Sequence, residues 1–93
     1  MVKKTKEKID TTSIELFDSS DENVMVLYND DFNTFDFVIE CLIEYCEHEV
    51  IQAEQCAFIT HYNGKCDIKT GTYSSLKPVK DVLIDKGLNV NIE

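Results

Sequence analysis

The stretch VMVLYNDDFNTFDFVIECLI, residues 24–43, decides the fold. Residues 24–28 are continuously apolar, with β-branched and aromatic members, and read as a buried strand. Phe35, Val38, Ile39, Leu42, Ile43 and, just beyond, Cys46 fall at i, i+3, i+4, i+7, i+8 and i+11, one face of a helix. Between the two lie Asn29, Asp30, Asp31 and Asn33. An ordinary turn needs one or two such residues, to bond its own backbone and to cap the helix. Asn33 is the expected cap, answered three residues later by Asp36 in the manner of a capping box. Asn29, Asp30 and Asp31 are then left to explain.

Outward from this stretch, HEVIQAEQCAFITHYNGK (48–65) predicts a second helix with Val50, Ala53, Ala57 and Phe58 as its buried stripe. Asn63-Gly64 ends it, the glycine suiting the left-handed position after a helix. KCDIKTGTY (65–73) alternates weakly and reads as a short strand or extended loop, whole or split in two. Ser74 or Ser75 would cap a third helix starting near Leu76, because Pro78 is tolerated best in a first turn. Val79, Val82 and Leu83 would face inward, and Gly87 would stop the helix. LNVNI (88–92) alternates cleanly, with Leu88, Val90 and Ile92 on one face of a half-buried strand. The predicted fold is α+β: a small antiparallel sheet of about three strands packed on three helices, in the order β-α-α-β-(β)-α-β. Residues 1–22 are polar apart from a cluster of Ile14, Leu16 and Phe17, too little to bury. They are expected to form a flexible N-terminal extension to a domain over 23–93.

Charge and composition exclude several functions. Eighteen acids against nine bases give a net charge of −9, and the lysines form no concentrated patch. A nucleic-acid surface needs such a patch to displace counterions. No run approaches the ~20 apolar residues of a membrane span. MVKKTKEKID has lysines with no apolar segment after them, so it does not read as a signal peptide. A cytoplasmic monomer is expected. Cys41, Cys46, Cys56 and Cys66 then read as reduced, packed thiols. They form no CxxC pair, and His48 and His61 do not complete zinc spacing with them. A thiol paired with His61 would be the one enzymatic alternative, but the cysteines sit where a helix packs. The expectation is no enzyme, no metal and no cofactor.

Three readings compete for the acidic turn. It can be only a turn and cap. It can be a divalent-metal loop, although the glycine and distal glutamate of an EF-hand are missing. It can also be a cation-binding corner, since Asn supplies a carbonyl oxygen and Asp a carboxylate. An ammonium group has three N–H donors and needs about three acceptors aimed at one place. His61, near the end of the second helix and beside the small Thr60, can supply a neutral imidazole nitrogen.

VLYNDDFNTFDFVIECL, followed about twenty residues on by THYNGK, resembles the ClpS family, adaptors that deliver N-degron substrates to the Clp protease. The family pattern is a strand ending in Asn-Asp-Asp, an aromatic residue, a helix opening, and a His-x-x-Gly turn closing the second helix. Asn29 and His61 are 32 residues apart, as the family has them. The resemblance covers residues 24–93. It implies a non-enzymatic adaptor that binds proteins whose first residue is Leu, Phe, Tyr or Trp through the free α-amino group. Asn29, Asp30 and His61 would hold the ammonium group and first peptide unit, and Asp31 would shape the loop. Asn33, Phe35, Val38, Ala57, Thr60 and Leu88 would line the side-chain pocket. The adaptor would pass its cargo to the N-terminal domain of a Clp AAA+ ATPase of ClpA or ClpC type, docking through Tyr73, Ser75, Lys77 and Lys80. A docking-only modulator without N-degron binding is the alternative. Two departures stand at the pocket: Phe35 and Ala57 occupy positions where family members commonly carry Met. The segment 65–80 departs further.

Overall fold

The computed structural model describes residues 22–93. The expected extension over 1–22 lies outside the described residues, except for Glu22. The elements are β1 (Asn23–Tyr28), α1 (Phe35–Cys46), α2 (Val50–Asn63), β2 (Lys65–Gly71), α3 (Tyr73–Asp85) and β3 (Asn89–Ile92). This is the expected order with an unsplit middle strand.

The strands form one antiparallel sheet in the order β2-β1-β3. The most continuously apolar strand takes the centre: Met25, Val26 and Leu27 of β1 are all buried. The more polar strands take the edges, where one row of backbone groups faces solvent. The β1–β2 ladder steps from Met25↔Lys69 to Val26↔Asp67, so Ile68 has no partner opposite it. This bulge frees the Ile68 carbonyl for another donor. Buried His48 takes it through Nε2–H at 2.6 Å, leaving its Nδ1 without a partner.

The helices cover the sheet, with α2 against β2, α3 against β3 and α1 between them. The core joins Met25 and Leu27 to Leu42, Ile68, Leu76, Leu83 and Val90, among others. Burying each leucine stabilises the fold by about 2 kcal/mol before ordering costs.

Several local expectations need correction. Thr34, not Asn33, caps α1: its hydroxyl accepts from the Phe37 N–H at 3.1 Å. The buried stripe of α1 is rotated toward Cys41, Leu42 and Cys46, leaving Ile43 and Phe35 exposed. On α2 the buried residues are Ala53, Cys56, Ala57 and Thr60, while Val50 and Phe58 are 56% and 54% exposed. Thr72 caps α3 and starts it at Tyr73, so Pro78 lies inside the helix. A proline there offers no N–H to the carbonyl one turn back. That carbonyl belongs to exposed Ser74, where water can reach it. Leu76 and Leu83 anchor α3, while Val82 is exposed. Gly64 ends α2 as expected, at φ +96°, with its N–H on the Thr60 carbonyl.

Candidate functional site

The loop between β1 and α1 is held by Asp30. Its Oδ1 accepts from the Phe32 and Asn33 N–H groups, both at 2.8 Å, and its Oδ2 accepts from Asn33 Nδ2 at 2.9 Å. Burial pushes the Asp30 carboxyl up, but these bonds from Asn33 and Phe32 outweigh it and hold it below its ordinary value. Asp30 is therefore ionised at neutral pH. A carboxylate has about four lone-pair sites, so one on Oδ2 stays open to a further donor. Asp31, expected to shape the loop, is exposed, and the shaping falls to Asp30.

Asn33 has a second task. Its Nδ2 also donates to the Gly87 carbonyl at 2.9 Å, clipping the loop to the turn between α3 and β3. That engagement explains why the neighbouring threonine does the capping. At the loop's other end the Asn29 N–H donates to the Gly64 carbonyl at 2.9 Å. Gly64 is the cap of α2, which carries His61 one turn back. The loop and the end of α2 are thereby joined directly.

A cavity of about 350 Å³ opens between these two pieces. Asn29, Asp30, Asp31 and His61 line it, as do Asn33, Phe35, Val38, Ala57 and Thr60. The polar and apolar residues expected from the sequence thus surround one space, with one exception. Leu88 is absent from the lining and packs in the core beside Val90. Leu27, Tyr28 and Tyr62 line the cavity without having been expected there. Leu27 and Tyr28 lie just before the Asn-Asp-Asp turn, and Tyr62 follows His61, so adjacency was their available signal.

The wall is less polar than its composition suggests. The Thr60 hydroxyl donates to the Cys56 carbonyl at 2.7 Å, so its proton is spent within α2. Ala57 adds only a methyl group. At the rim, Phe35 meets the His61 ring edge-on, with centroids 5.4 Å apart and planes at 70°. Such an edge-to-face arrangement is the favoured one for aromatic pairs. A site of this kind joins an ionised carboxylate and other polar groups to the apolar side chains of Val38 and Ala57, which suits an amine attached to a bulky side chain.

The remaining expected residues lie elsewhere. Tyr73, Ser75, Lys77 and Lys80 are on the first turns of α3. The Ser75 hydroxyl donates to the Thr72 carbonyl, and Lys77 pairs with Asp81 at 2.7 Å on the exposed face. A second depression, near His48 and Lys69, is lined by Glu47 and Asp67 over β2. Among the described residues no group of three His, Cys, Asp or Glu side chains could hold a metal ion. Burial pushes the Cys46 thiol up to about 11. Burial and a hydrogen bond with Cys56 push Cys66 up to about 12. These two thiols stay protonated at neutral pH, unlike a thiolate nucleophile.

Comparison with known proteins gives a consistent result. The family model described as ATP-dependent Clp protease adaptor protein ClpS matches residues 18–90. A Salmonella gallinarum protein named ATP-dependent Clp protease adapter protein ClpS is 34% identical over 55 residues. That match takes in 57% of this chain and spans about half the length of the relative, 52%. The structure is similar to that of Agrobacterium tumefaciens ClpS2 bound to L-phenylalaninamide, with a TM-score of 0.66 and 18% identity. The superposition covers 77% of this chain and 94% of the other.

Proposed function

The chain belongs to the ClpS family of Clp protease adaptors, and on that premise we propose that it captures proteins by a bulky hydrophobic first residue. The residues recognised are Leu, Phe, Tyr or Trp with a free α-amino group. The cargo then passes to a Clp AAA+ unfoldase of ClpA or ClpC type. The protein acts as a non-enzymatic, monomeric adaptor in the cytoplasm. Among the described residues no helix is long and apolar enough to cross a membrane.

The observation that carries this reading is the pairing of an open, ionised acceptor with an apolar hole in one cavity. The ammonium group sits at the mouth between Asn29, Asp30 and His61. Asp30 supplies charge, and Asn29 and His61 supply the further polar contacts. The side chain enters toward Val38, Ala57 and Thr60. The A. tumefaciens relative was solved with L-phenylalaninamide, which joins a free amine to a benzyl group. Transfer of that chemistry to this chain is part of the proposal. Acetylation removes the charge and two of the donors, leaving acceptors unpaired in a confined mouth, a direct penalty on the wrong ligand. The first turns of α3, with Tyr73, Ser75, Lys77 and Lys80, form the face that docks on the ATPase.

Fluorescent peptides that differ only in their first residue test the proposal. Free Leu and Phe should bind, while Ala and N-acetyl-Leu should not. His61→Ala should weaken Leu binding by about tenfold or more, the cost of losing one acceptor to a charged donor. Failure of every peptide to bind the wild-type protein would reject capture and leave the docking-only modulator.

A further inference from the structure

α2 carries a second apolar stripe that the core does not use. Ala53, Cys56, Ala57 and Thr60 face inward. Ile51, Phe58 and Tyr62 recur at i, i+7 and i+11 on the opposite side, and are 68%, 54% and 67% exposed. Glu54 and Gln55 separate Ile51 from the other two, but Phe58 and Tyr62 form a contiguous exposed ring pair beside the cavity, surface that suits an external partner.

The stripe is continuous with the cavity. Phe35 packs edge-on against His61. His61 meets Tyr62 at 4.8 Å with planes at 89°, and Tyr62 meets Phe58 at 4.4 Å with planes at 46°. Phe35, His61 and Tyr62 all line the cavity, whereas Phe58 lies beyond it. Four rings thus run from the cavity rim outward along α2.

We propose that this ring row is a subsite for the second to fourth residues of the captured polypeptide, and that it favours an aromatic side chain there. This inference rests on the capture reading above. An extended chain advances about 3.4 Å per residue. A polypeptide anchored by its first residue therefore passes Tyr62 and Phe58 within about four residues. The occupant is fixed by this continuity: a chain leaving the cavity along α2 meets these rings before anything else on the helix. Aromatic side chains gain the most there, because offset and edge-on ring pairs add to simple area burial. Cargo choice then depends on a short N-terminal sequence, not on the first residue alone.

Peptides with Phe first and Ala after it provide the baseline, and a Tyr is moved through positions two, three and four. At least one Tyr position should bind about threefold to tenfold tighter than the baseline. Phe58→Ala should remove that gain while leaving baseline affinity unchanged, because Phe58 does not line the cavity. Phe58→Tyr should restore the gain. Equal affinity at all positions, or a gain that survives Phe58→Ala, would overturn the subsite while leaving capture intact. A baseline peptide that does not bind would reject the capture reading, and the subsite with it.

Discussion

Two strand-to-helix junctions in this molecule do the same geometric job at different lengths. β2 passes into α3 through Thr72 alone, whereas β1 passes into α1 through residues 29–34. Both end in a threonine with nearly the same backbone, φ −72° and ψ 158° at Thr72 against φ −75° and ψ 159° at Thr34. Both threonine hydroxyls accept the N–H three residues on. The short junction is tight: a Cβ on Gly71 would lie 2.7 Å from Ser75 Oγ. Starting a helix after a strand therefore requires one threonine and close packing. The five residues from Asn29 to Asn33 are surplus to that need, and this answers why the acidic turn is so rich in Asn and Asp. They build a carboxylate-centred loop at the edge of a cavity.

The largest effect expected from breaking this difference is at Asp30. Asp30→Ala removes three hydrogen bonds from the long loop, a loss of about 2 kcal/mol in chemical denaturation, and abolishes binding of a free Leu peptide. The pH dependence gives the same contrast. The Asp30 carboxyl lies below its ordinary 3.8 when folded, so its stabilisation is complete above that value and is lost as pH falls through the folded one. Denaturation midpoints of wild type and Asp30→Ala should differ by a constant amount from neutral pH to about 4 and converge in stronger acid. A gap that already closes near pH 6 would mean another group holds the loop.

A smaller effect is expected from Asn33→Ala, which cuts the clip to Gly87 as well as one bond to Asp30. It should cost about 1.5 kcal/mol, for two lost hydrogen bonds, and weaken peptide binding without abolishing it, measured on the same samples. The smallest effect sharpens what the junctions share. Thr34→Ala and Thr72→Ala should each cost about 1 kcal/mol, equal within error, because each removes a cap and the one further contact, Thr72 with the Ser74 hydroxyl, is long and exposed. Thr72→Ala should leave peptide affinity unchanged. A much larger cost at Thr34 would show that the long junction's cap also supports the loop.

The same contrast shows what could be read from the sequence. The strand VMVLY, the end of α2 at Gly64 and the alternation of β3 are local signals, and the fold followed from them. The cap of α1 was not legible. Asn33 and Thr34 are both good caps, and the choice is made by the Gly87 carbonyl, 54 residues away. Phe58 and Val50 were assigned to the core because periodicity detects a stripe without telling what will cover it. Pro78 misplaced the start of α3 because the threonine cap outweighs one interior proline whose unmatched carbonyl lies in water. At the site, the grouping of the Asn-Asp-Asp turn and His61 around one cavity was legible through the resemblance to the ClpS pattern, and not from either segment alone. Leu88 was not: it lies just before β3 and packs in the core, as the alternation of LNVNI has it.

The bond from the Asn29 N–H to the Gly64 carbonyl has a consequence in time. It continues the β1–β2 ladder one step past Tyr28↔Lys65, on a strand paired on both sides. Asn29 and Gly64 therefore sit at the end of a ladder built on the sheet's middle strand. Local opening of a paired central strand is rare compared with the flicker of a free loop. That strand holds the two arms of the cavity at one end of one sheet. On the capture reading proposed above, an amine meets acceptors that are already assembled, and binding waits on encounter, not on a change of shape.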